Sequence, residues 1–358
     1  MLVYVEEGGV RGEEFVKRTF EEHILLYTYA GGEKYLQPVL QSDISEEEIM
    51  LAEARDEEKH VLSQAGLERE NSLLREEELK EDPVKEPEEE TKEVMSQSGK
   101  PVALDMARYN DFEKLIQDFY VVDKTTYITA EELKVDEILK QDLRLSDAQD
   151  NQASEGPQVL IYHTHSQEAY ADSVPGDESM TVVGAGAELA KLLEDYGIRV
   201  MHHKGQYDVE NRDYAYANAE EGLTKILEEN PSIEVIIDLH RDGVADGTHL
   251  VTEIDGKPTA QFMFFNGLSR LKSTGEIEYL KNENRAGNLA FSFQLQVKCM
   301  EYYPGLARSI YLKGYRYNMQ YREKSLLVEL GAQTNTVEEV YNALPPLAHV
   351  ISMVLLGE

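Results

Sequence analysis

The chain has no tryptophan and a single cysteine, Cys299, among its 358 residues. One thiol excludes an intramolecular disulfide and any cysteine-rich metal site. Basic residues are scarce as well: 35 Lys and Arg stand against 69 Asp and Glu, a formal net charge of −34. A surface of that sign repels phosphate backbones, so nucleic acid is excluded as a natural partner. It also disfavours adhesion to anionic membranes or polymers, so a polyanionic substrate would need a local site working against the global field. Long apolar runs are missing too. None approaches the roughly 18–20 residues of a spanning helix, and the N-terminus lacks a signal-peptide layout. No membrane segment is expected here, and any anchor would lie outside these residues.

What is present is unevenly distributed. Hydrophobic residues make up 41% of the chain, enough for a core but low for a fully globular protein. The deficit concentrates between Asp43 and Glu93, where 20 acidic and 7 basic side chains give a net charge of −13 with no aromatic residue. Such a stretch cannot bury enough apolar surface to offset its conformational entropy. Four regions follow: an N-terminal segment (1–42), an acidic linker that is disordered or a solvated helix (43–100), a helical lead-in (101–150) and a catalytic domain (151–358). In the lead-in, Thr129 and Glu132 form a T-x-x-E capping signature ahead of a second helix.

From Gln158 onward, apolar strands alternate with helices. "QVLIYH", "IRVMHH", "IEVIIDLH" and "LLVELG" read as strands. "TVVGAGAELAKLLEDYG", "YAYANAEEGLTKILEENP", "AGNLAFSFQLQVKCMEYYPG" and the closing "TVEEVYNALPPLAHVISMVLLG" read as helices. Asp255-Gly256 marks the turn of an inserted hairpin. The fold class is therefore α/β: a mostly parallel, doubly wound sheet flanked by helices, with an acidic N-terminal extension that is partly disordered or helical.

In such sheets, sites form beyond the carboxyl ends of the strands. The first strand ends in His163-Thr164-His165 with Glu168 close behind, the third ends in His240, and the strand "LLVEL" carries Glu329. Two histidines and one carboxylate with an open position are a common catalytic zinc set. A further carboxylate could carry the proton. Alternation places His163 and His165 on the same side of an extended chain, so either could be the ligand. Asp238 is a candidate to orient a ligand histidine, and Arg241 either meets a substrate carboxylate or pairs with Asp242. Of the other histidines, only His202 and His203 also end a strand. In "GYRYNMQYRE", Arg316, Asn318, Gln320 and Arg322 could line a groove or form a polar edge strand.

"LIYHTHSQEAY", "GQYDVENRDYAY", "IDLHRDG" and "VELGAQTNT" together resemble the stage II sporulation protein P family, related to the zinc-dependent N-acetylmuramoyl-L-alanine amidases. The resemblance covers roughly residues 110–356. It implies His163, Glu168 and His240 as zinc ligands, with His165 as the alternative ligand, and Glu329 as the catalytic residue. Arg241 and Arg322 are candidate substrate contacts. It implies the substrate peptidoglycan, cut between N-acetylmuramic acid and L-alanine during forespore engulfment, with a stem-peptide endopeptidase activity besides. The implied partner is the stage II sporulation protein D, and the implied place is extracytoplasmic, between the mother-cell and forespore membranes. Two other classes compete: a non-catalytic wall- or partner-binding scaffold on the same fold, and a zinc carboxypeptidase acting on wall peptides.

Overall fold

The computed structural model describes residues 101–146, 156–245 and 247–357. The expectations for residues 1–42 and for the acidic stretch 43–100 lie almost wholly outside them. The lead-in begins with a 3-10 turn (Met106–Asn110), continues in helix α1 (Phe112–Phe119), capped by the Asp111 side chain, and passes into the short strand β1 (Tyr120–Val122). The helix expected after Thr129 shrinks to one turn, α2 (Val135–Ile138). Tertiary contacts explain this. The Glu132 carboxylate accepts from Thr129 as the capping signature predicts, but it is also gripped by both terminal nitrogens of Arg270 at 2.8 and 2.9 Å. Lys134 is then extended, and the chain turns to bury Leu133, Val135 and Ile138.

The domain then alternates as read. Strand β2 (Val159–Tyr162) leads to helix α3 (Val182–Asp195), β3 (Val200–His202), helix α4 (Ala215–Glu229) and β4 (Val235–Asp242). A hairpin follows, β5 (Val251–Ile254) and β6 (Lys257–Ala260), turning at Asp255 and Gly256 with φ of 52° and 76°. Both values are positive, as a type I′ turn requires. Strand β7 (Phe262–Gly267), a small ribbon of β8 (Arg270–Leu271) and β9 (Gly275–Glu276), helix α5 (Arg285–Tyr302), β10 (Ile310–Lys313), β11 (Lys324–Ala332) and helix α6 (Val337–Leu356) complete the chain. Strand β10 was not anticipated from the sequence. The stretch read as an edge strand after it is a loop with one 3-10 turn, Met319–Tyr321.

Seven strands form one sheet in the order β1-β10-β7-β11-β4-β2-β3. The parallel expectation holds in two blocks. Strands β11, β4, β2 and β3 run together, and so do β7, β10 and β1. The blocks meet antiparallel at β7 and β11. The cause is the connection from β4 to β7, which turns back through the hairpin instead of crossing over a helix, and only a crossover returns a strand in parallel.

Alternation sorts the strands' side chains onto two faces. Val159, Ile161, Val235, Ile237, Leu239, Leu326, Val328 and Leu330 pack beneath α3, α5 and α6. Leu160, Tyr162 and Ile236 pack against Ala219, Leu223 and Leu227 of α4. Further along the α4 face, Phe265 and Leu327 meet Tyr216, Ala217 and Tyr317. Among the described residues, α6 is the one helix long and apolar enough to cross a membrane, against the expectation that no run approaches that length. Its apolar run has a packing cause, since 67% of that window is buried within the domain.

Candidate active site

On β4, alternation puts Asp238 and His240 on the α4 face. On β11 it puts Glu329 beside Leu327 on that same face. Glu329 stands directly opposite His240 across the parallel ladder, and Tyr162 opposite Asp238. The site therefore grows from the carboxyl ends of three adjacent strands. The loop after β2 supplies the rest. Beyond Tyr162 the chain leaves extended geometry. The Thr164 backbone N–H and hydroxyl both donate to the Asp238 carboxylate, at 2.9 and 2.6 Å. That pair of hydrogen bonds turns the chain at Thr164, so the two histidines on either side part company.

His165 goes to the α4 face. Its ring stands 5.3 Å from that of His240 and 5.7 Å from that of Tyr216, edge-on to both. His163 goes to the opposite face. There its Nδ1 lies 2.8 Å from the Leu239 carbonyl and its Nε2 2.9 Å from Nε2 of His202, above Gly186 of α3. The expectation that the two histidines share a side is thus corrected, and His163 does not face the cluster. His202, the other strand-end histidine, lies there with it.

Glu168 is buried at the centre of the cluster. Its Oε1 accepts from Arg212 at 3.1 Å and its Oε2 from the Arg241 backbone N–H at 3.0 Å. Oε2 also lies 3.5 Å from His240 Nδ1. Burial alone would raise the Glu168 pKa, but the hydrogen bond and charge of His240, with His165 and Arg212, hold it well below the usual carboxylate range. His240 shows the converse. Burial would lower it, yet the charges of Asp238 and Glu168 raise it well above its ordinary value. His240 Nε2 sits 2.8 Å from Asp238 Oδ1, not aligned as a hydrogen bond.

Two buried carboxylates on one imidazole make this a place where positive charge is stabilised. Among the described residues, no three His, Cys, Asp or Glu side chains are arranged so as to hold a metal ion as they stand. The donor chemistry nevertheless fits zinc. The buried imidazole of His240 has a ring nitrogen, Nε2, without a hydrogen-bond partner, the buried ring of His165 stands 5.3 Å from it, and an ionised carboxylate stands beside them.

The remaining candidates divide. Arg241 is at the site, but its guanidinium donates to the carbonyls of Ala169 and Asp242. The carboxylate of Asp242 pairs with Arg308 instead. Arg322 is placed elsewhere, which corrects its reading as a substrate contact. It precedes β11 and donates to the Ile233 carbonyl ahead of β4, at the amino ends of strands whose carboxyl ends bear the site. Five residues of strand separate Lys324 from Glu329, roughly 16 Å. Arg316 and Gln320 both donate to Glu220 on α4. Sequence reasoning missed Asp208, Arg212 and Tyr216. All three belong to the block "GQYDVENRDYAY", which carried a resemblance but no spacing that would single out a role.

The histidine pair behind the sheet yields a pH prediction. Burial lowers His163 to about 4; burial and the neighbouring His163 lower His202 to about 3. Both values lie below the ordinary 6.5, so between pH 6.5 and about 3 the unfolded chain binds protons that the native protein refuses. Stability contributed by the neutral pair is complete above pH 6.5 and is lost as pH falls through that window, by up to about 1.4 kcal/mol per pKa unit. His202→Gln should flatten the acid limb of unfolding free energy against pH, measured by urea titration. An unchanged slope would remove the pair from the acid response.

With this geometry in view, comparison with known proteins places the chain. The family model for stage II sporulation protein P matches residues 32–352. The stage II sporulation protein P of Bacillus subtilis (strain 168) is 27% identical over 213 residues, which is 54% of this chain and 50% of that relative. The chain thus spans about half the length of the curated relative it matches. Among solved structures, an N-acetylmuramoyl-L-alanine amidase from Clostridium difficile 630 matches with a TM-score of 0.36 and 15% identity, covering 57% of this chain and 97% of that one. The amidase AmiC2 of Nostoc punctiforme matches with a TM-score of 0.35 and 13% identity, over 57% and 98% of the two chains. Matched along most of its length by that family model, the chain belongs to the stage II sporulation protein P family.

Proposed function

We propose that the protein is a zinc-dependent peptidoglycan hydrolase that cleaves the amide between N-acetylmuramic acid and L-alanine. The observation that carries this reading is the gathering of His165, Glu168 and His240 on one sheet face, with Glu329 beside His240 on the adjoining strand. Membership of a sporulation family supplies the setting. His165, Glu168 and His240 would hold zinc, with His165 in the place the sequence also offered to His163. Bound there, zinc lowers the pKa of a water and polarises the amide carbonyl.

The chain's own residues do the remainder. Glu329 takes a proton from the attacking water and returns it to the departing alanine nitrogen. Asp238 stands against the edge of the His240 ring, and Arg241 holds Glu168 through its backbone N–H. The same site would serve a stem-peptide endopeptidase activity, acting with stage II sporulation protein D between the mother-cell and forespore membranes during engulfment.

The test is metal analysis followed by digestion of purified peptidoglycan. About one zinc per chain and release of intact stem peptides are expected. A chain without zinc sinks the assignment. Zinc with release of terminal residues alone identifies a carboxypeptidase, and zinc without any cleavage identifies a binding scaffold.

A further inference from the structure

The geometry points to Asp208 as the positioning residue of His165, the carboxylate that decides which ring nitrogen of this histidine faces the cluster. The inference rests on the reading of His165 as a metal ligand. Asp208 lies in the loop between β3 and α4, outside the residues that the sequence singled out for chemistry. Its side chain is only 2% exposed, and a buried carboxylate needs donors or a cation. The Ser166 hydroxyl donates to Oδ1 at 2.8 Å and the Gln167 backbone N–H to Oδ2 at 3.2 Å. Those two donors orient the carboxylate. Oδ2 then stands 3.8 Å from Nδ1 of His165, a buried nitrogen with no hydrogen-bond partner of its own.

A carboxylate at Nδ1 sets the tautomer of a ligand histidine: it draws the ring proton to Nδ1, so the Nε2 lone pair is left for the metal. The rest of the surroundings keep the ring from turning. His240 and Tyr216 stand edge-on to it at 82° and 90°.

Tyr216 is itself held. Its carbonyl accepts from Asn318 at 2.9 Å, and the Tyr317 ring packs against its own at 5.4 Å. Tyr317 and Asn318 both have positive φ, 51° and 53°. Side chains disfavour that region by roughly 1–2 kcal/mol per residue. Such strain persists where the surroundings over-determine it, and it clusters at functional sites. These contacts fix the wall behind His165, and among the described residues Asp208 is the carboxylate that stands 3.8 Å from its Nδ1.

A loop-pinning role would use the same carboxylate, so the test separates the two. Zinc affinity of the full chain is measured by competition with a chromophoric chelator, and the metal-free melting temperature is read alongside. Asp208→Asn should weaken zinc binding by about 10–100-fold. Asp208→Glu should recover most of that loss, because charge returns to the same side of the ring. Ser166→Ala, which removes one of the two donors that orient the carboxylate but leaves its charge beside the ring, should lose distinctly less than Asp208→Asn. Asp208→Asn binding as tightly as wild type overturns the inference, and so does Ser166→Ala losing as much as Asp208→Asn. Wild-type protein that binds no zinc would instead overturn the proposed function.

Discussion

Glu329→Gln should bind zinc as wild type does and lose muramoyl–alanine cleavage by about 10²–10⁴-fold, the contribution of a placed general base. The substitution is nearly isosteric, and the main chain at this position is fixed by ladder pairing on both sides, to His240 of β4 and Met263 of β7. Nothing in that pairing depends on the carboxylate, so the fold should be kept. An amide, however, cannot accept the proton of the attacking water. The measurement is the rate of stem-peptide release from purified peptidoglycan, with zinc content determined on the same preparation. Activity within tenfold of wild type would remove Glu329 from the proton path. Loss of zinc would make it a structural support of the site.

The second large effect distinguishes two histidines only two residues apart. His165→Ala should abolish stoichiometric zinc binding, because it deletes one of two imidazoles in the donor set. His163→Ala should keep zinc in the folded protein and lower its stability. Removing that ring strands the Leu239 carbonyl and His202 Nε2 on the α3 face. A buried polar group left without its partner costs about 1–3 kcal/mol. Zinc titration and urea unfolding of both variants check this. Loss of metal from His163→Ala with retention in His165→Ala would reverse the assignment.

Much of this site was legible in the chain. The strands bearing His240 and Glu329 announce themselves as short apolar runs. Within each, a period of two puts Asp238 with His240 and Leu327 with Glu329, whatever the fold around them. The long helices of the domain were equally plain as helical segments, and the structure shows how they are bounded: Gly197 follows α3 with a φ of 83°, and Thr336 and Glu339 box the start of α6. The turn at Asp255 and Gly256 followed from two residues that accept positive φ.

What escaped the sequence depended on partners far along the chain. The direction of β7 was set by a connection with no helix in it. The helix predicted after Thr129 gave way because Arg270 claimed Glu132 from 138 residues away. Asp208, Arg212 and Tyr216 had no periodicity or spacing to mark them, since a loop residue acquires its role only from what it reaches.

The two histidines that follow β2 draw the line between the two. By itself the sequence determined that an apolar strand runs out into His163-Thr164-His165, because a run of buried aliphatic residues must stop where polar ones begin. Only the tertiary structure decided between them. Asp238, on a strand 74 residues later, takes two hydrogen bonds from Thr164, ends the extended geometry there, and sends His163 to one face of the sheet and His165 to the other.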